Sequence, residues 1–227
     1  MPPTSQQGNH NPTSKPLIFI YGGSTATGIL GIQLASLSGY SVLTTSSPAN
    51  SAYLESLGAS LVVDYRSPSA IQEVKDWVAN NNNGALTKVW DCIGGADAST
   101  FCASVLANPP PEGTSLHYGA IARADEAIAK SINPFVTGIA FTLAYTIIGE
   151  KFGGNEPGSQ FAWPPVPEDF EYAKMFWELS RGLLAEGTVK PARMHVNRGE
   201  KGLQGVLAGL KEMEEGRVSG VKLVYTL

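Results

Sequence analysis

The chain has 227 residues, of which 43% are hydrophobic and 16% are charged, and its formal net charge is −4. This apolar content is sufficient for one sizeable globular core. A mildly acidic chain without a run of Lys or Arg lacks the electrostatic footprint of a protein that binds nucleic acid or an anionic membrane, so we expect neither partner.

Residues 1–16 are polar and rich in proline and lack the apolar centre of a signal peptide, so they are predicted to be a flexible leader. The two cysteines, Cys92 and Cys102, lie in a predicted strand and the helix after it, a placement typical of a reduced, cytoplasmic protein. The longest apolar stretch, 134–149, is shorter than the roughly 20 residues of a membrane helix, and we expect it to be buried or in an interface.

Residues 17–190 alternate between short β-branched apolar runs and segments that have helical spacing or begin like helices. Strands alternating with helices form a parallel sheet, and right-handed crossovers place the helices on both of its faces. The prediction is an α/β fold, a doubly wound parallel sheet that makes a Rossmann-like dinucleotide-binding domain. The predicted strands lie at 17–21, 41–45, 61–65, 88–92 and 115–119.

A long helix beginning near Glu168 is predicted after a stretch rich in proline and glycine. A different unit follows at 191–227, with a predicted strand at 193–197, a helix at 202–216 and a strand at 221–226. Four aromatic residues at helical spacing on the long helix are predicted to lie in the core: Phe170, Tyr172, Phe176 and Trp177.

The turn after the first strand, "YGGSTATG", has the position and the small residues of a diphosphate-binding loop. In such a loop, backbone amides and the positive end of the helix dipole hold the anion. Gly23 and Gly28 fit the first and third glycines of the G-x-G-x-x-G pattern, whereas Thr25 occupies the middle position. Three hydroxyls, on Ser24, Thr25 and Thr27, are predicted to be further donors. A purely structural turn is the open alternative.

The second strand ends in "TTSSPAN", which offers hydroxyls and no carboxylate. This pattern favours NADP(H) over NAD(H), because NAD-preferring sites carry an acidic residue there for the ribose 2′-hydroxyl. No Lys or Arg occurs from Ser41 to Tyr65, and Glu55 follows in the next helix. A 2′-phosphate at this place would therefore have no cation beside it. Because charge-assisted hydrogen bonds are stronger than neutral ones, we expect NADP(H) binding to be weak or lost. Arg66 is the nearest cation in sequence and is interpreted as a solvated surface residue.

His117 and Tyr118 are the candidates for a catalytic proton donor. Both are predicted to lie at the carboxyl end of the fifth strand, the edge at which ligands bind in doubly wound sheets. A packed role at the strand end is the open alternative for both. The histidines of the chain have no metal-ligand spacing with the two cysteines, so no metal site is predicted.

Several segments together resemble the zinc-free medium-chain dehydrogenase/reductases of fungal secondary metabolism, in particular the trans-acting enoyl reductases that serve polyketide synthases. These segments are "YGGSTATGILGIQLASLSGY", "TSSPAN", "SLGASLVVDYR", "VWDCIGG" and the closing "MFWELSRGLLAEGTVKPARMHVN" with "GVLAGLKEMEEGRVSGVKLVY". The resemblance implies NADPH as hydride donor and an α,β-unsaturated polyketide thioester on a carrier protein as substrate. By position it places the pyrophosphate at Ser24, Thr25, Ala26 and Thr27, the 2′-phosphate at Ser47, the adenosine at Tyr65, and the nicotinamide at Ile93 and Gly94.

The chain also departs from the family that it resembles. Ala49 and Glu55 occupy positions at which family members commonly have basic residues. Family members begin with a GroES-like domain, and residues 191–227 resemble the remnant of that catalytic domain. Because this remnant lacks its main partner, we expect self-association into a homo-oligomer such as a dimer.

Three functions are therefore open at this point. The first is an NADPH-dependent enoyl reductase of polyketide biosynthesis. The second is a redox-inactive relative that binds a polyketide chain between the 134–149 segment and the sheet, and catalyses a pericyclic-type cyclisation or an isomerisation by orienting it. The third is a non-catalytic accessory subunit that docks on a synthase.

Overall fold

The computed structural model describes residues 15–81, 84–120 and 167–227, and the side chains of 167–170 are not described. Most of the predicted leader and the apolar stretch 134–149 lie outside these ranges. None of the helices that the structure describes combines the length and the apolar character needed to cross a membrane.

A five-stranded sheet organises the first half of the chain, and every neighbouring pair of strands is parallel. The strands lie in the spatial order Ala59–Val63, Ser41–Thr45, Leu17–Tyr21, Lys88–Asp91 and His117–Ala120. Phe19 of the central strand lies opposite Leu43 on one side and Val89 on the other. The strands are β1 (Leu17–Tyr21), β2 (Ser41–Thr45), β3 (Ala59–Val63), β4 (Lys88–Asp91) and β5 (His117–Ala120).

Helices cover both faces of this sheet. Successive residues of a strand point to opposite faces, and along β1 Phe19 packs with the helices after β3 and β4, whereas Ile20 packs with those after β1 and β2. The doubly wound α/β fold is therefore confirmed. The helices are α1 (Ala26–Leu37), α2 (Ser51–Ser56) preceded by a 3-10 turn at Pro48–Asn50, α3 (Ala70–Asn80) and α4 (Gly95–Val105).

Two strands of the five-stranded sheet begin at other residues than predicted. β3 begins at Ala59 and ends at Val63, so Tyr65 lies beyond it. After the strand, the Asp64 carboxylate accepts hydrogen bonds from the backbone and the side chain of Arg66, which closes a turn. β5 begins at His117, which pairs with Lys88. His117 therefore opens its strand, and its predicted place at the carboxyl end is wrong.

The C-terminal region contains α5 (Pro167–Ala185), β6 (Met194–Val196), α6 (Gly202–Glu214) and β7 (Lys222–Val224). β6 and β7 form a parallel two-stranded sheet in which Met194 lies opposite Lys222. The strand, helix and strand predicted for this region are thus present, with the strands shorter than predicted.

The aromatic residues of α5 do not form a buried stripe. Tyr172 is 66% exposed, Phe176 42% and Trp177 69%, so the prediction of a core position is wrong for these three. Tyr172 and Phe176, four residues apart, stack with ring centroids 6.4 Å from each other. Trp177 lies about 100° further round the helix than Phe176, because an α-helix has 3.6 residues per turn. The side chain of Phe170 lies outside the described residues.

The chain divides into two compact units, one formed by Met1–Ala122 with Pro191–Leu227 and the other by Arg123–Lys190. Within the first unit, the Asn50 side-chain amide donates to Ser219 Oγ at 2.9 Å. Ala192 packs against the hydrophobic cluster that contains Ile20 and Leu54. Residues 191–227 therefore contact the sheet domain beside α2; their assignment as the remnant of a second domain stays a prediction.

Candidate functional site

The order of the strands reverses between β1 and β4, and a doubly wound sheet opens a crevice at the carboxyl ends of its strands at such a point. Here the turn after β1 meets the turn after β4. The Cys92 amide donates to the Tyr21 carbonyl at 3.0 Å. A Cβ added to Gly22 would lie 2.7 Å from Cγ1 of Ile93. The predicted diphosphate turn and the predicted nicotinamide residues are thus neighbours.

The turn after β1 is anchored to the end of β2. The Gly22 amide donates to Thr45 Oγ1 and the Gly23 amide to the Thr45 carbonyl, both at 2.9 Å. Gly22 has φ +82°, a conformation that favours glycine. A Cβ on Gly23 would overlap Thr44 Oγ1. Both glycines are therefore required by the packing of this turn.

Thr25 is the N-cap of α1, and its hydroxyl is committed to the turn itself. Oγ1 accepts from the Gly28 amide at 2.9 Å and donates to the Gly22 carbonyl at 2.8 Å. The expectation that this hydroxyl is a spare donor for a phosphate is therefore not met. A Cβ on Gly28 would overlap the Gly22 carbonyl and lie 2.8 Å from Gly23 Cα, which explains a glycine at the third position of the motif.

The remaining hydrogen-bond donors of the turn lie at the start of α1. Ala26 and Thr27 are exposed, and they are the first two residues of a 12-residue helix. The first N–H groups of a helix have no acceptor within it and carry its positive dipole end. Ser24 is half-buried beside them. These groups are free to donate, unlike the Thr25 hydroxyl, and their predicted contact with a diphosphate stays a prediction.

Asp91 organises the turn after β4, and our sequence reasoning did not single it out. Its carboxylate is completely buried. Oδ1 accepts from the amides of Ile93 and Gly94 at 2.8 and 2.9 Å, and Oδ2 accepts from the Tyr118 hydroxyl at 2.8 Å. Asp91 thereby fixes the residues predicted to face the nicotinamide. A carboxylate at a strand end followed by two glycines is the signal that could have identified it.

Tyr118 is held by this carboxylate. Burial of the hydroxyl, followed by the hydrogen bond to Asp91 and the negative charge of Asp91, raises the pKa of Tyr118 well above 10.0. A phenol with a raised pKa whose proton already bonds to Asp91 is a weak proton donor. His117, at the amino end of β5, lies away from the carboxyl edge of the sheet. The catalytic roles suggested for both residues stay predictions.

The end of β2 has the donors but not the carboxylate of a ribose site. Ser46 is 2% exposed, and its hydroxyl has no hydrogen-bond partner among the described residues. Leaving such a group unsatisfied costs about 1–3 kcal/mol, and its burial keeps it out of direct reach of a ligand. Ser47 Oγ accepts from the Asn50 amide at 3.0 Å and keeps its own proton to donate. The hydroxyl of Ser47, without an acidic neighbour at the end of β2, fits a ribose 2′-phosphate.

Tyr65 and Arg66 lie just beyond β3. Tyr65 is 48% exposed, and the Arg66 guanidinium lies 5.5 Å from its ring centroid. Arg66 pairs with Asp64 through two nitrogens, at 3.0 and 3.1 Å. Its charge is thus already balanced, and its interpretation as a surface residue is confirmed. The exposed side chain of Tyr65 is accessible for the predicted adenosine contact, which stays a prediction.

The two cysteines are free thiols, Cys92 half-buried and Cys102 buried. Burial raises the pKa of the Cys92 thiol to about 11 and that of Cys102 to about 12. In the ranges that the structure describes, no group of three or more His, Cys, Asp or Glu residues could hold a metal ion. The prediction that the protein needs no metal stays untested.

The sequence is similar to curated fungal trans-enoyl reductases. It is 40% identical over 202 residues to the dual trans-enoyl reductase/FAD-dependent monooxygenase tazHJ of Aspergillus terreus, covering 88% of this chain and 26% of that protein. It is 36% identical over 216 residues to the trans-enoyl reductase resD of Aspergillus sclerotiorum, covering 95% and 56%. It is 34% identical over 210 residues to the trans-enoyl reductase ACTTS2 of Alternaria alternata, covering 92% of this chain and 54% of that protein. The chain spans about half the length of the latter two relatives.

Solved structures share the fold. CurA of Vibrio vulnificus in complex with NADPH has a TM-score of 0.58 at 16% identity, over 94% of this chain and 58% of that one. The Etr1p/NADP/crotonyl-CoA complex has a TM-score of 0.52 at 16% identity, over 94% and 55%. JamJ enoyl reductase has a TM-score of 0.56 at 15% identity, over 94% and 56%. No protein-family model matches the sequence.

The sheet order and these structures define the class of fold as a doubly wound, Rossmann-like α/β fold. Among proteins of this fold, the curated relatives confirm the resemblance to fungal trans-enoyl reductases. These relatives do not favour the non-redox alternatives.

Proposed function

We propose that the chain binds NADP(H) at the switch point between β1 and β4 and takes part in reducing an α,β-unsaturated polyketide thioester. One observation carries this proposal: the capped turn at Gly22–Thr25 lies against Ile93, in a chain whose second strand is followed directly by two serines and no carboxylate. The names of the curated relatives support the same reaction class.

Each part of the cofactor has residues that fit it. The amides at the start of α1, with Ser24 and Thr27, would hold the diphosphate. Ser47 would bind the 2′-phosphate and Tyr65 would contact the adenosine. Ile93 and Gly94, held by Asp91, would face the nicotinamide. NADPH supplies a hydride when it is bound.

The contribution of the chain to such a reaction is orientation and the exclusion of water. Ile93 is 49% exposed beside the phosphate turn, and it offers an apolar surface at the place where the nicotinamide is expected. The Asp91 carboxylate keeps this residue in position through the backbone. A substrate carried by an acyl carrier protein, a polyketide synthase partner, a homo-oligomeric state and a cytoplasmic location belong to the same proposal.

Titration with NADPH and NADH, followed by nicotinamide fluorescence, tests cofactor binding. We expect NADPH to bind in the micromolar range and NADH more weakly. Gly28→Ala should abolish binding, because its Cβ would overlap the Gly22 carbonyl. Leu30→Ala is the matched control, since Leu30 lies on the same helix and is 37% exposed. No NADPH binding at millimolar concentration would contradict the proposal.

Turnover is tested separately with a short α,β-unsaturated acyl-CoA. The expected reaction transfers a hydride to the β-carbon and a proton to the α-carbon, and it consumes one NADPH per double bond. The saturated acyl product should appear with the same stoichiometry as NADP⁺. Binding of NADPH without product at any thioester chain length would leave a cofactor-binding protein and contradict the reductase assignment.

A further inference from the structure

Arg193 differs from the other arginines that the structure describes. Arg66, Arg181, Arg198 and Arg217 each form a salt bridge with a carboxylate. In the described part of the chain, Arg193 forms none. An exposed cation that has no counter-ion keeps its full attraction for an anionic ligand.

The side chain of Arg193 lies against the segment that follows β2. Its guanidinium carbon is 3.8 Å from the ring centroid of Tyr53 in α2, and its Nη2 donates to Asn50 Oδ1 at 3.4 Å. The Arg193 carbonyl accepts from the Lys222 amide at 2.7 Å, so strand pairing holds the backbone in place. A guanidinium has five N–H donors, and stacking on a ring leaves most of them available.

Asn50 connects this cation to Ser47. The Asn50 amide group is 4% exposed and donates both to Ser47 Oγ at 3.0 Å and to Ser219 Oγ at 2.9 Å. With both donors used, its oxygen is directed to Arg193. A Cβ on Gly220 would overlap that oxygen, so the backbone packs closely round the amide. One side-chain amide therefore separates the Arg193 charge from the predicted 2′-phosphate residue.

We propose that Arg193, a residue of the C-terminal segment, supplies the cation that binds the 2′-phosphate of NADP(H) together with Ser47. This inference rests on the proposed function. Because only the Asn50 side-chain amide separates the guanidinium from Ser47, with contacts of 3.4 and 3.0 Å, salt screens its attraction for a phosphate there only partly, since the Debye length at 0.1 M salt is about 10 Å. The C-terminal segment thus determines the choice between NADPH and NADH, and it replaces the cation absent from residues 41–65.

The experiment compares two probes by isothermal titration calorimetry, adenosine 2′,5′-bisphosphate and 5′-AMP, which differ only in the 2′-phosphate. The intact chain is measured as wild type, Arg193→Gln and Arg193→Lys. Arg66→Gln is the matched control, because Arg66 is also exposed but pairs with Asp64. We expect Arg193→Gln to weaken the bisphosphate by about 10- to 100-fold, the contribution of a charged hydrogen bond, and to leave 5′-AMP unchanged. Arg193→Lys should retain part of the affinity.

Tyr53→Leu is a second variant that removes the ring under the guanidinium, and circular dichroism verifies that each variant is folded. It should weaken the bisphosphate alone, by less than Arg193→Gln. An unchanged ratio of the two affinities in Arg193→Gln, or an equal loss of both, would overturn the role of Arg193. The role of Arg193 would also be overturned if Arg66→Gln lost the preference for adenosine 2′,5′-bisphosphate over 5′-AMP. If wild type binds neither probe nor NADPH, the proposed function itself fails. This result is distinct from a failure of the Arg193 role alone, in which wild type still binds the cofactor.

Discussion

Thr25→Val tests how the turn after β1 is built. Valine keeps the shape of threonine but removes the hydroxyl that accepts from the Gly28 amide at 2.9 Å and donates to the Gly22 carbonyl at 2.8 Å. Loss of an N-cap hydroxyl costs about 1 kcal/mol, and loss of the second hydrogen bond costs about as much. We expect the free energy of unfolding to fall by about 2 kcal/mol, and the melting temperature of a chain of this size by about 4–8 °C.

Thermal and urea unfolding, followed by circular dichroism, measure this change. Thr25→Ser is the matched control, because it keeps the hydroxyl and should remain within about 0.5 kcal/mol of wild type. The same pair is then titrated with NADPH, for which Thr25→Val should bind more weakly than Thr25→Ser. If valine and serine give equally stable proteins, the two hydrogen bonds of Thr25 do not hold the turn, and the account of this loop is wrong.

Three further predictions concern titration and charge. Burial raises the pKa of Cys92 to about 11 and that of Cys102 to about 12. Both thiols should therefore react with a disulfide reagent near pH 8 far more slowly in the folded than in the denatured protein. Equal reaction rates in the two states would contradict this. Burial and the Asp91 carboxylate raise the pKa of Tyr118 above 10.0. The neutral phenol therefore stabilises the fold below about pH 10, and this contribution is lost as the pH rises further; wild type should lose stability more steeply there than Tyr118→Phe, and parallel pH profiles would refute it. Glu55→Lys should improve NADPH affinity by about 2- to 5-fold, as expected of an exposed charge. An unchanged affinity would show that the 2′-phosphate does not lie beside α2.

Local pattern sufficed for the framework of the sheet. β1 and β2 have the predicted bounds, because each is a five-residue apolar or β-branched run that ends where a turn or a glycine begins. The bounds of β3 and β5 depend on contacts that composition does not record. β3 ends where the Asp64 carboxylate accepts a hydrogen bond from the Arg66 amide and closes a turn. β5 begins at His117, which pairs with Lys88.

The site was predictable only where its residues are close in sequence. The glycines of the first turn and the serines after β2 follow from local motifs. The direction of the Thr25 hydroxyl does not, because a hydroxyl at that position serves either as a cap or as a ligand donor. The contact of Arg193 with Tyr53 depends on how residues 191–227 pack on the sheet domain, and no local periodicity encodes that packing.

A crystal structure of the chain grown with excess NADPH would show whether the turn after β1 binds the cofactor. If the proposed function is right, electron density for the diphosphate should lie over the amides at Ala26 and Thr27, with the nicotinamide beside Ile93. A turn that is empty, or filled by its own side chains, while NADPH is present in excess would contradict it.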